Sequence, residues 1–329
     1  MNTSSDNKFE KPRIIQALLS GFNTIANKPH LILLPVTLDL FLWFGPGWRV
    51  DAFFQPFLQA LKNIPGLENP EYAGLMESYF VLWQEMIENF NLAVALRTFP
   101  VGVPSLMISK TSFINPVGRP AIFNLATNVQ VIGLWITFLL VGFFLGSIYF
   151  HSISKNVIDT GISKDSGNLF RSFLQILLMP ILLVIILLIL SIPMMFLITL
   201  LTMISPGISQ FFLMVAGVII LWIIMPLIFT PHSVFLYDQN LITAMMTSIS
   251  VVRVSMGKTA WFILLSFVLM QGMDYLWRSP AVDTWFLMIG ILGHAFIVTA
   301  VIAASFHYFI DATEFTQAVI NKQTNKTMS

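Results

Sequence analysis

Residues 169–204 read LFRSFLQILLMPILLVIILLILSIPMMFLITLLTMI. Apart from Arg171 the stretch carries no charge. A helix needs about 20 apolar residues to cross a bilayer core about 30 Å thick, so this run belongs to a membrane and is too long for one untilted span. Pro180 and Pro193 fall inside it. Proline removes a helix hydrogen bond and kinks or ends the helix. The reading is therefore an interfacial helix over Gly167 to Met179 and a span from Pro180 to Met203. Ser205-Pro206-Gly207 forms the tight turn into the next span.

Five further runs extend the pattern: Leu31 to Trp48, Val129 to Phe150, Phe211 to Phe229, Ala260 to Leu276 and Trp285 to Ile310. The chain of 329 residues is 56% hydrophobic and only 10% charged. Soluble domains carry about 25% charged residues, too many to be matched here, so lipid is the solvent for much of the surface. The fold class is all-α: a polytopic membrane helical bundle of about six transmembrane helices, with cytoplasmic interfacial helices and a helical extracytoplasmic loop. The whole chain, 1–329, reads as a single membrane domain. No small-residue cleavage site follows the first apolar run, which is expected to remain as an anchor. A net charge of +1 gives no case for nucleic acid, and the absence of cysteine excludes disulfides, thiolate metal sites and cysteine nucleophiles.

Lysine and arginine of short loops stay on the cytoplasmic side. Lys8, Lys11, Arg13, Lys28, Lys155, Lys164, Arg171, Arg253, Lys258, Lys322 and Lys326 fall on one side, whereas the two short loops opposite contain only Arg278. Both termini are thus expected in the cytoplasm, with residues 1–29 as an N-terminal segment and 311–329 as a tail.

Ile14, Leu18, Phe22 and Ile25 recur at helical spacing before the first span, as do Leu241, Met245, Ile249 and Val252 before the fifth. Two readings stand: helices lying in the headgroup plane, or packed cytoplasmic extensions of the spans. Ala17 to Phe22 parallels Ala244 to Ile249, which suggests a unit of interfacial helix plus hairpin used three times. Residues 49–128 are too long for a bare loop and should hold structure as a cap on the outer face, packed on the spans or lying in the outer headgroups, either as a lid or partner-docking surface or as plain packing. Helices are expected over Ala52 to Asn63 and Pro70 to Ala95, the latter with Leu75, Tyr79, Leu82, Trp83, Met86 and Phe90 on one side and Asn69-Pro70-Glu71 as its start signal. Phe99-Pro100-Val101-Gly102-Val103-Pro104-Ser105-Leu106 breaks that helix.

Ionisable groups in lipid are costly and mark candidate sites. Asp39 lies roughly 12 Å inside the inner boundary and His294 roughly 15 Å inside the outer one, counting 1.5 Å per residue. The two are expected to face each other and pair, as a helix-fixing hydrogen bond or as a proton-relay or substrate contact. His151, His232, Asp238, His307 and Asp311 lie at cytoplasmic helix ends and could supply borderline and hard metal ligands, or simply meet water there. Asp274 and Arg278, four apart, read as an ion pair. No His-Glu-x-x-His, Gly-x-Ser-x-Gly or Gly-x-x-x-x-Gly-Lys motif occurs, and no cofactor is implied.

Ala17 to Ser20 leading through Asn27-Lys28-Pro29 into an apolar run, and the stretch Ile228 to Val268 with Asp238, Ala244, Ser248, Arg253 and Gly257-Lys258-Thr259, resemble the membrane-domain group of glycerophosphoryl diester phosphodiesterases and related bacterial six-helix proteins. The resemblance covers the two ends and the last third, not the large outer loop. It implies a bacterial cytoplasmic membrane location and six-helix architecture. It carries no catalytic residue, because in active members the chemistry belongs to a separate soluble barrel. The functional expectation is a non-enzymatic binding, scaffold or membrane-organising protein whose partners are membrane lipids and a protein docked on the outer loop. The alternatives are a transporter or permease-like subunit for a small or amphipathic solute or lipid, and an intramembrane metal-dependent enzyme.

Overall fold

The computed structural model describes residues 11–62, 70–110, 113–158 and 168–328. Lys8, Lys164, Gly167, the Asn69 start signal and the side chains of Leu75 and Lys326 lie outside the described residues. The chain is a multi-pass helical bundle. Among the described residues five helices are long and apolar enough to cross a membrane, or six if one bent pair is counted as a single span.

That bent pair replaces the straight first span. Helix α1, Ile14–Asn27, meets helix α2, Leu33–Phe44, through a 3-10 turn at Pro29–Ile32 and a bend of 94°. The 12 residues of α2 reach only about 18 Å, too short to cross alone. Helix α1 packs along the C-terminal helix α11, Leu287–Met328, burying Ala17, Gly21 and Ile25. A Cβ at Gly21 would stand 2.3 Å from the Ala300 carbonyl oxygen, so the two backbones touch only because this position lacks a side chain. The opposite face of α1, with Ile15 and Leu19, stays exposed.

Helix α11 is the hub of the bundle. Ala300, Ala303, Ala304, Phe306, Tyr308 and Phe309 are all fully buried. Around it stand α5, Asn128–Ile158, and α10, Met256–Trp277, with α8, Thr230–Tyr237, and α9, Leu241–Val254. Helix α9 is a packed extension: Leu241, Met245 and Ile249 cover Met179, Leu183 and Leu227.

The long apolar run that opened the sequence analysis forms one continuous helix, α6, Leu169–Ile204, not an interfacial helix followed by a span. Both prolines sit inside it. Membrane helices tolerate interior prolines where neighbours and local adjustment re-satisfy the freed carbonyls. The third interfacial unit therefore does not exist as a separate element. Ser205 ends α6 and precedes α7, Pro206–Ile224, whose first residue is the turn proline.

The outer loop holds α3, Asp51–Lys62, and α4, Pro70–Glu88. Helix α4 ends seven residues before the expected Ala95, because Asn91 caps a separate 3-10 turn over Leu92–Leu96. The loop also forms two three-residue strands, β1 at Gly47–Arg49 and β2 at Ile122–Asn124, paired in parallel. The end of the bundle carrying this loop is called the loop end below.

Candidate functional site: an inserted loop segment and a lateral cleft

The segment from Asn91 to Met107 does not cap the bundle from outside; it inserts into it. Val101, Val103 and Leu106 are fully buried. Two glycines on α5 admit it. A Cβ at Gly142 would stand 2.3 Å from the Leu96 carbonyl oxygen, and one at Gly146 would stand 2.9 Å from Gly102 Cα and from the Val101 carbonyl oxygen. The depth follows from a buried hydrogen bond. Tyr149 of α5 donates to Thr299 Oγ1 at 2.8 Å. Thr299 lies roughly 18 Å along α11 from Leu287, and Gly146 is about 4.5 Å nearer the loop end than Tyr149. The tip of the segment thus reaches about 13 Å below the start of α11, and Leu96 to Thr98, beside Gly142, about 8 Å below it.

Irregular backbone at such depth survives only where protein surrounds it and its polar groups find partners. Asp39 supplies them. Its Oδ1 accepts from Ser105 Oγ at 2.5 Å and from the Met107 N–H at 3.1 Å, and its Oδ2 accepts from the Leu106 N–H at 3.1 Å. On the descending side Thr98 Oγ1 donates to the Val101 carbonyl at 2.5 Å. At the entrance Asn91 Oδ1 accepts from the N–H groups of Trp48 and Ala93, each at 3.1 Å.

The inserted segment, α5 and α6 enclose a cleft of about 620 Å³. Its walls are Trp135, Leu139 and Phe143 of α5, Leu177, Ile181 and Ile185 of α6, and Ala95 and Phe99 of the segment. The polar side chains lining it are Arg97 and Thr98. Thr98 is engaged with Val101, whereas no described residue accepts a hydrogen bond from the Arg97 guanidinium. Arg97 lies close enough to Asp39 and His294 for its charge to act on both.

Asp39 and His294 do not form the expected pair. His294 Nδ1 lies 2.9 Å from Asp274 Oδ1, and Asp274 Oδ2 also holds Arg278, four residues on along α10. The Asp274–Arg278 pair thus occurs as expected, with His294 joined to it. Residue counting from the ends of straight spans misjudged the depth of Asp39, because α1 and α2 are bent and the inserted segment fills the space beside α2. Lys110 closes this end: its Nζ donates to the carbonyls of Arg278 at 2.7 Å and Pro280 at 3.1 Å. Partial burial and the Arg278 charge lower its ammonium pKa below 10.5.

The five residues at the other end do not converge. His232 is buried among Phe150, Phe229, Phe306 and Phe309, with Nε2 2.6 Å from Ser305 Oγ. His307 Nε2 lies 3.0 Å from Thr24 Oγ1, tying α11 to α1. Asp238, in the left-handed conformation that ends α8, pairs with Arg171 at 3.3 Å. His151 stands near Lys155, and Asp311 shares a surface recess with Lys11, Arg13 and Glu314. Among the described residues no group of three histidine, aspartate or glutamate side chains could hold a metal. The shared metal site considered for the five is not built.

Sequence reading missed Arg97, Ser105 and the insertion itself. A signal was present: Phe99 to Leu106 is wholly apolar apart from Ser105, which is unlike a solvent-facing loop. The chain matches no family model, no curated protein and no solved structure in the three comparisons made.

Proposed function

We propose that this is a non-enzymatic integral membrane protein that binds an anionic, membrane-dissolved amphiphile, a lipid with an acidic headgroup, in the cleft between α5, α6 and the inserted segment. Arg97 is the observation that supports this reading. A guanidinium with no acceptor among the described residues, held about 8 Å below the start of α11 on an otherwise apolar wall, is costly unless an anion meets it. A headgroup phosphate at Arg97, with acyl chain along Leu139, Phe143 and Ile181, satisfies the charge and covers the wall together. A volume of about 620 Å³ lies within the ordinary range for small-molecule sites. The apolar lining favours an amphiphile over a water-soluble solute, which would need a polar path. The bias of basic residues supports a cytoplasmic position for both termini, in a bacterial cytoplasmic membrane, with the cleft in the opposite leaflet.

The test is lipid retention. The purified chain is exchanged into mixed phosphatidylglycerol and phosphatidylcholine, stripped by detergent and weighed by native mass spectrometry. Wild type is expected to keep phosphatidylglycerol selectively. Arg97→Gln should reduce that selectivity by about 10-fold or more, since hydrogen bonds to charged groups contribute about 1.5–3 kcal/mol. Equal retention of both lipids by wild type, or unchanged selectivity in Arg97→Gln, overturns the reading.

A further inference from the structure

Helix α4 carries a stripe that is largely exposed among the described residues. Tyr79, Leu82, Trp83, Met86 and Phe90 are exposed at 58%, 55%, 55%, 62% and 42%. At 3.6 residues per turn the four that lie in the helix fall within an arc of about 100°, the width of a core-facing face, and Phe90 lies two residues beyond its end. The helix already has a packed side centred away from Tyr79, Leu82 and Trp83, and at its foot Met86 and Phe90 edge a recess shared with Trp43 and Phe113. Ile87 is buried, and Lys62 Nζ stands 5.5 Å from the centroid of the Phe80 ring. Glu77, Gln84 and Glu88 lie opposite the stripe, where Gln84 Nε2 donates to Glu88 Oε1 at 2.9 Å.

The place where α4 joins the bundle identifies what covers the stripe. Phe90 ends at Asn91, which is hydrogen-bonded to Trp48, and the Trp48 ring packs edge-on against Phe138 of α5 at 5.0 Å. Phe138 lies roughly 16 Å along α5 from Tyr149, and Thr299 lies roughly 18 Å along α11 from Leu287. The foot of α4 is thus level with the start of α11, where the apolar spans end. Phe44 and the exposed Trp285 stand at the same level with ring centroids 5.8 Å apart, as interfacial aromatics would, packed over the buried Trp43.

We propose that α4 lies on the lipid surface of the loop-end leaflet, with Tyr79, Leu82, Trp83, Met86 and Phe90 at the headgroup–acyl boundary. Pro70–Glu88 contains no lysine or arginine, so the attraction is apolar burial and the fitting surface is zwitterionic. The docked helix anchors the outer loop from above while Asp39 holds its inserted part from within.

The chain has no cysteine, so single cysteines report one position each. The full chain bearing Tyr79→Cys, Met86→Cys, Glu77→Cys or Gln84→Cys is spin-labelled and placed in phosphatidylcholine vesicles. Collision with oxygen, which concentrates in lipid, is compared with collision with a water-soluble nickel complex. The oxygen-to-nickel ratio is expected to be severalfold higher at positions 79 and 86 than at 77 and 84. Equal nickel access at all four positions places the helix in water and overturns the proposal. Shielding of 79 and 86 from both reagents overturns it too, by showing that protein covers the stripe. All four side chains are exposed on the chain, so the substitutions leave its packing intact.

Discussion

Replacing Asp39 with leucine removes the acceptor for three donors of the inserted segment. Ser105 Oγ can rotate toward another acceptor, but the N–H groups of Leu106 and Met107 cannot. Each buried N–H left without a partner costs about 1–3 kcal/mol. Against this, leucine relieves the desolvation of a carboxyl group that is itself fully buried. The backbone orphans outweigh that relief, because hydrogen bonds on both oxygens already offset part of the cost of burying the carboxyl group. The net loss is about 2–4 kcal/mol, a large share of a total stability of about 5–15 kcal/mol. Asp39→Asn keeps one accepting oxygen and should lose about half as much. Unfolding midpoints in detergent rank the variants. Local release of the segment is read by Val103→Cys, a position buried completely in the native chain. A water-soluble maleimide should label it slowly in the otherwise native chain and quickly with Asp39→Leu. If Asp39→Leu unfolds at the wild-type midpoint and Val103→Cys stays protected, Asp39 does not hold the segment in place.

Two further outcomes follow from the same architecture. Gly142→Val should lower stability by about 2 kcal/mol or more and weaken phosphatidylglycerol retention, because the new side chain meets the Leu96 carbonyl and moves the segment that carries Arg97. Gly133→Val on the same helix, where a Cβ meets nothing within 4 Å, is the matched control in both assays. Lys110 gives a pH dependence. Its pKa in the folded chain is lowered, so between that value and 10.5 the unfolded chain binds more protons and stability rises with pH. Unfolding midpoints taken from about pH 8 upward should show this rise in wild type and a shallower one in Lys110→Gln.

The membrane class and most of the span positions were legible in the sequence. Lipid offers no hydrogen bonds, so each crossing must be a long apolar helix that satisfies its own backbone, and such runs can be read locally. The same logic made the Asp274–Arg278 pair readable, since four residues along one helix fix their separation. What the sequence left open was decided between segments distant in the chain. Asp39 waits on donors 66 to 68 residues away, and the space for them exists only because Gly142 and Gly146 remove side chains from a facing helix. The bend of α1 against α2 cancels depth counting from helix ends, which is why Asp39 and His294 were matched wrongly. The histidines and aspartates at the other end share a region of sequence pattern but face different neighbours: His232 meets Ser305, His307 meets Thr24 and Asp238 meets Arg171. Arg97 drew no notice as one charge in a long loop. Only the insertion of that loop beside α5 places it on an apolar wall.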